Sequence, residues 1–293
     1  MLTRRALLLG AGGVAAGGAA AAGIYEGVLP GRPRLQAALG LNGEPGRVPD
    51  VAWGPIAAGS FVSQHRLGTT TGWVLLRPPG TGRAPLPLVV ALHGLDWGLD
   101  GFLSDGIGLP QFLAAAAGDG VPPFAVVAAE GGNSYWHPRP DGEDSGAMVV
   151  DELLPLMAAR DDLVVDRIGL LGWSMGGYGA LRLAGVLGAE RVPAVAVAGP
   201  AIWSDPADAS RAGFDDEAEY AEFTVTGRQD DLDGIAVRVD CGTGDPFYRD
   251  VEDYVAGFGD DADVTSSFEP GAHDRDFWRR VLPDQLAFVG ARL

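Results

Sequence analysis

With 293 residues, 47% of them hydrophobic and 8% aromatic, the chain carries enough apolar material for one large α/β domain or two small ones, and is neither a fibre nor a disordered protein. A formal net charge of −18, from 39 acidic and 21 basic residues, argues against nucleic acid or an anionic membrane surface as a partner. Every basic residue is arginine, which closes off lysine-based mechanisms, and the lone Cys241 leaves no internal disulfide to form.

Taken in chain order, the first segment reads as an address rather than as fold. Thr3-Arg4-Arg5-Ala6-Leu7-Leu8-Leu9 is a twin-arginine pattern, and the Ala/Gly run behind it ends in Ala20-Ala21-Ala22, a small-residue cleavage site. Residues 1–22 are therefore expected to be a signal peptide engaging the twin-arginine export machinery, with the mature protein secreted or in the cell envelope. The alternative is an uncleaved anchor over residues 6–24, long enough to cross a bilayer although rich in glycine. Residues 23–50, rich in Gly, Pro and Arg and without a clear period, read as a linker or an N-terminal wrap.

The catalytic domain is expected over 51–293. Phe61 to Arg66 and Gly72 to Arg77 flank a Gly-Thr turn and predict an antiparallel hairpin. Short, continuously apolar runs follow at Leu86 to Leu92, Phe124 to Ala129, Arg167 to Leu171, Ala194 to Ala198, Ala236 to Asp240 and Val264 to Phe268. Such runs suit strands buried on both faces of a parallel sheet. Helical patterns lie between and after them, at Leu109 to Ala117, Gly146 to Ala159, Gly176 to Leu187, Pro246 to Phe258 and Asp274 to Leu293. The alternation predicts an α/β fold with a mostly parallel central sheet of about eight strands and helices on both faces. Residues 204–233 break the rhythm as a long acidic insertion, either a cap that shapes a pocket or a solvated surface excursion.

Gly172-Trp173-Ser174-Met175-Gly176 is a G-x-S-x-G sequence between an apolar strand pattern and an Ala/Leu helical pattern. That setting makes a sharp strand-to-helix turn, where a serine can be deprotonated by a histidine and faced by backbone amides, so Ser174 is the candidate nucleophile. Gly172 and Gly176 omit the Cβ atoms that would collide there. The chain has four histidines. His273, on the loop after the last strand, stands where the general base belongs; His65 reads as structural, and His137 as a pocket-lining residue. The acid belongs on the loop after the preceding strand, where Asp245 ends Gly242-Thr243-Gly244 and could also cap a helix beginning at Pro246. Asp240 competes for that role from within the strand. The oxyanion donors are expected to be the Met175 amide and, in the turn Leu92-His93-Gly94-Leu95, the Leu95 amide, with His93 supporting the turn.

Together with Glu130-Gly131-Gly132-Asn133-Ser134-Tyr135-Trp136, and with His273 shortly before Phe277-Trp278, these motifs resemble the exported esterase branch of the α/β-hydrolases. That branch includes S-formylglutathione hydrolases of the esterase D type and mycobacterial mycolyltransferases. The resemblance covers about Val51 to Leu293 and implies an α/β-hydrolase fold. It also implies that Ser134, Tyr135 and Trp136 lie on a loop beside the acyl site as substrate contacts, with simple loop packing the alternative for the aromatic pair. Trp97 and Trp173, next to the expected oxyanion turn and the candidate nucleophile, are further candidates for substrate contact. The expected activity is hydrolysis of a carboxylic ester, on a small-molecule or lipid or sugar substrate, through an acyl-enzyme on a Ser174, His273, Asp245 triad, with no metal and no organic cofactor. The alternatives are acyl transfer to a sugar or alcohol, as in the mycolyltransferases, and a non-catalytic cell-envelope binding protein on the same fold.

Overall fold

A computed structural model describes residues 31–103 and 105–293; the expected signal peptide and anchor lie outside the described residues. Eight strands form one sheet in the order β1-β2-β4-β3-β5-β6-β7-β8: β1 (Ile56–Ser63), β2 (Thr69–Leu76), β3 (Leu86–Leu92), β4 (Ala125–Ala129), β5 (Leu163–Trp173), β6 (Ala194–Ala198), β7 (Ala236–Gly242) and β8 (Val264–Glu269). β1 and β2 run antiparallel to each other and β2 runs antiparallel to β4; every other pairing is parallel. This is the expected α/β-hydrolase arrangement. The continuous apolar runs explain it: β4 and β6 are buried along their whole length, as strands covered by helices on both faces must be. The outer strands β1 and β8 are more polar and more exposed.

Seven helices lie before, between and after these strands among the described residues, besides three short 3-10 turns: α1 (Arg32–Ala38), α2 (Leu109–Gly118), α3 (residues 145–158), α4 (Met175–Leu187), α5 (Glu217–Phe223), α6 (Tyr248–Ala256) and α7 (Arg275–Gly290). α3 is continuous, with a π-helical stretch at Met148–Leu153 between two α-helical ends. One apolar layer packs α3, α4 and α6 on one face of the sheet, through Met148, Leu153, Met157, Tyr178, Leu181, Val251 and Tyr254. The other packs α2 and α7 on the opposite face, through Phe112, Leu113, Phe277, Leu282 and Val289.

Local boundaries differ from the sequence expectation for identifiable reasons. The first hairpin strand ends at Ser63 rather than Arg66, because Gly68 N–H closes the turn on Ser63 O at 2.8 Å, with Leu67 and Gly68 both at positive φ. The fifth strand starts at Leu163 rather than Arg167, since Leu163 and Val164 pair with Leu86 and Pro87 ahead of a register shift. The helix expected from Pro246 begins at Tyr248. Within the stretch read as linker or wrap, the described residues carry helix α1, and Gly46 N–H then donates to Asp276 O at 2.8 Å.

Candidate active site

All the loops that matter leave the carboxyl ends of β3 to β8, the end at which parallel sheets place their sites. Ser174 sits between β5 and α4 with φ 56° and ψ −127°, a left-handed conformation that costs an L-residue on the order of 1–3 kcal/mol. Three backbone bonds hold it there: Ser174 N–H donates to Ala198 O at 3.1 Å, and Ser174 O accepts from Ala201 N–H at 2.9 Å and Tyr178 N–H at 3.1 Å. The flanking glycines are sterically required, since a Cβ on Gly172 would lie 2.1 Å from Gly176 O and one on Gly176 would lie 2.0 Å from Leu92 O.

Ser174 Oγ is 2.8 Å from His273 Nε2, and His273 Nδ1 is 2.7 Å from Asp245 Oδ2. The Asp245 side chain is buried, and its second oxygen accepts the Phe247 amide at 2.8 Å. That bond takes the place of the helix cap expected at Pro246: it closes the turn ahead of α6 and fixes the carboxylate plane. The imidazole is held between two aromatic edges, Phe247 and Trp278, each with its ring centroid 5.2 Å away. Gly199, at φ 49°, forms the wall behind the pair, and a Cβ there would come within 2.6 Å of Asp245 Oδ2 and 3.2 Å of His273 Nδ1. Asp240 is engaged elsewhere: its carboxylate takes two bonds from Arg238, at 3.0 and 2.9 Å, and one from Gln285 at 2.8 Å. Burial, the largest influence, raises its pKa, and Arg238 and Gln285 oppose that rise.

Two amides flank the serine. Met175 opens α4 directly after Ser174, where the helix dipole is positive. The turn after β3 passes so near that a Cβ on Gly94 would sit 3.3 Å from Ser174 Cβ, and Leu95, the next residue, lines the same cleft. His93 supports this turn from below. It is fully buried, its Nδ1 lies 2.8 Å from Gly94 O and its Nε2 accepts Gly131 N–H at 2.9 Å, so one neutral ring ties the turn after β3 to the turn after β4. Burial holds its pKa below the usual histidine range.

A cleft of about 520 Å³ opens over Ser174 and His273. Among the expected contact residues, Trp97 and Tyr135 line it. Ser134, Trp136 and Trp173 do not: Trp136 takes the loop-packing alternative, and for Ser134 and Trp173 the expected contact is corrected. Ser134 is buried and donates to Ser145 Oγ at 2.7 Å. Trp136 fills a slot left by two glycines, where a Cβ on Gly131 or Gly179 would lie within 2.5 Å of its ring. Trp173, 1% exposed, packs in the core against Phe102 and Trp278. The cleft walls that sequence reasoning missed are Trp203, Ser210, Phe247, Asp274, Arg275 and Trp278. Trp203 follows β6 and Phe247 follows β7, so proximity to a strand's carboxyl end was the signal that could have found them.

Ser210 belongs to the acidic insertion, which therefore borders the cleft, while Phe214, Tyr220, Val225 and Leu232 from the same segment are buried in the core. His137, expected at the pocket, instead fastens this insertion. Its ring stacks between Phe214 and Phe223, with Nδ1 2.9 Å from Pro138 O and Nε2 2.9 Å from Gly213 O. A neutral ring donates to one of those carbonyls and a charged ring to both, but burial dominates and pushes the pKa down to about 4. His65, 3.2 Å from Asp151 on α3, lies outside the cleft as expected.

Residues 64–289 match the model of the Esterase family, described as "Putative esterase". The chain belongs to this esterase family. The fold also resembles those of solved relatives. A ferulic acid esterase is 20% identical, with a TM-score of 0.68 over 82% of this chain and 99% of that one. S-formylglutathione hydrolase of Agrobacterium tumefaciens is 18% identical, with a TM-score of 0.64 over 83% and 98%. The fluorophosphonate-binding serine hydrolase F of Staphylococcus aureus, solved with substrate bound, is 15% identical, with a TM-score of 0.63 over 82% and 99%. No curated protein matches the chain.

Proposed function

We propose that this esterase-family protein is a serine hydrolase that cleaves a carboxylic ester through an acyl-enzyme. The reading is carried by one observation, the unbroken hydrogen-bonded line from Ser174 Oγ through His273 to Asp245 at 2.8 and 2.7 Å. Ser174 Oγ attacks the ester carbonyl carbon while His273 Nε2 takes its proton; Asp245 holds the Nδ1–H tautomer and balances the imidazolium. The carbonyl oxygen gains negative charge and is stabilised by the Leu95 and Met175 amides, each contributing about 10²–10³ in kcat. His273 then protonates the leaving alkoxide, which departs as an alcohol. Water, deprotonated by the same histidine, attacks the acyl carbon and releases the carboxylic acid and free Ser174. An alcohol in place of that water would complete acyl transfer with the same residues.

The rings of Trp97, Tyr135, Trp203, Phe247 and Trp278 around the cleft support a flat, unsaturated or aromatic group on the substrate. Export through the twin-arginine route is proposed from Arg4-Arg5 and the Ala-rich run behind them. A fluorophosphonate probe tests the chemistry: the wild type is labelled at Ser174, Ser174→Ala is not, and an unlabelled wild type overturns the proposal. Turnover of p-nitrophenyl aliphatic and aryl esters, with and without a sugar acceptor, separates hydrolysis from transfer and tests the preference for rings.

A further inference from the structure

The segment read from sequence as linker or wrap touches both loops that carry the triad's histidine and aspartate. On the aspartate side, the buried Gln36 of α1 exchanges hydrogen bonds with Thr243 Oγ1 at 3.4 Å. Gln36 and Asn42 roof the glycine just before Asp245: a Cβ on Gly244 would lie 2.6 Å from Gln36 Oε1 and 2.7 Å from Asn42 Oδ1. On the histidine side, the Arg280 guanidinium gathers four oxygens. Nη1 donates to Glu44 O at 2.5 Å and to Asn42 O at 3.4 Å, both in the wrap. Nη2 donates to Pro270 O and Nε to Glu269 Oε1 at 3.3 Å, both in the segment leading to His273. Gly46 N–H then closes on Asp276 O at 2.8 Å, three residues past the histidine. The two loops are also joined directly, Gly244 N–H donating to Gly271 O at 2.7 Å.

Fixing a loop costs conformational entropy, and a loop held at one end samples geometries in which a bond such as Asp245 to His273 is broken. A displacement of about 1 Å in such a site can cost about 10² in rate. On the reading of the site given above, we propose that residues 36–46 form a strut that holds the Asp245 and His273 loops in register, with Gln36 and Arg280 as positioning residues. Neither side chain lines the cleft, so they act through the aspartate and the histidine and not on the substrate.

Two variants of the full chain test the strut. Arg280→Gln removes the four-way clamp, and Gly46→Ala leaves Arg280 intact but places a Cβ 2.4 Å from Arg280 N and 2.6 Å from Asp276 O, forcing the wrap away. Each is expected to lower kcat about 10- to 100-fold with KM within about twofold. Each is also expected to broaden or abolish the far-downfield Nδ1 proton signal of His273 in NMR spectra, under conditions where thermal melting shows the chain still folded. Wild-type kcat together with an undiminished proton signal in both variants overturns the strut. Failure of the hydrolase reading looks different: the wild type itself would resist the fluorophosphonate probe, while the proton signal would still report whether the wrap holds the histidine to the aspartate.

Discussion

Two buried aspartates lie five residues apart at the end of β7, and their surroundings are opposite in kind. Asp240, inside the strand, is saturated by Arg238 and by Gln285. Asp245, just beyond the strand, has one side-chain partner, His273, and one backbone amide. A carboxylate closed off by a guanidinium and an amide serves the packing of α7 on the sheet. One left with a single imidazole to orient is available for proton chemistry. The contrast teaches that burial and charge do not mark the candidate acid; the partner does.

The largest effect expected is at the working residue. Asp245→Asn keeps the shape but stabilises the wrong imidazole tautomer, so kcat should fall by about 10⁴ while the melting temperature changes little. Steady-state kinetics on a p-nitrophenyl ester measures this, and a variant retaining a tenth of the activity would erase the contrast. Next comes Asp240→Ala, which orphans the buried Gln285 amide and strips one of two carboxylates from Arg238. It should cost about 3 kcal/mol in denaturant unfolding, with Asp284 still pairing the arginine, and should leave kcat of the folded protein near wild type. A proportionate loss of kcat would mean that the two aspartates are not independent. The smallest and most local is Gly199→Ala. Its methyl group would press on Asp245 Oδ2 from 2.6 Å at a backbone φ of 49°, so kcat should drop about tenfold and stability by about 1 kcal/mol. An alanine variant with unchanged kinetics would show that the wall behind the pair is not tight.

What the sequence made legible follows the same logic. The sheet could be read because buried parallel strands are written as continuous apolar runs, and the elbow because its glycines answer to sterics within five residues. The candidates Ser174, Asp245 and His273 could be ranked because each follows a specific strand, with Asp245 set above Asp240 by its place on the loop beyond β7. The cleft walls could not be read that way. Trp136 and Trp97 are both tryptophans on loops near the site, yet Trp136 falls into the slot left by Gly131 and Gly179 while Trp97 stays at the surface of the cleft. That choice is made by one glycine nearby in sequence, Gly131, and one distant, Gly179, which meet only in the fold. Trp173 departs from expectation for a simpler reason: it is the last residue of β5, and its ring joins the apolar layer with Phe102 and Trp278. The insertion stayed ambiguous because its acidic residues signalled solvent, whereas His137, Phe214 and Tyr220, spread over more than eighty positions, decide how it docks.

Of the five non-glycine residues at positive φ among those described, four gather at this cleft or directly beneath it: Asp96, Tyr135, Trp136 and Ser174. At Ser174 a glycine would adopt the same backbone without resistance and would relax the turn, at the loss of the hydroxyl proposed to attack. On the proposed mechanism, stability and chemistry therefore pull in opposite directions at one residue. Ser174→Gly is expected to gain about 1 kcal/mol of stability in denaturant unfolding while losing ester turnover.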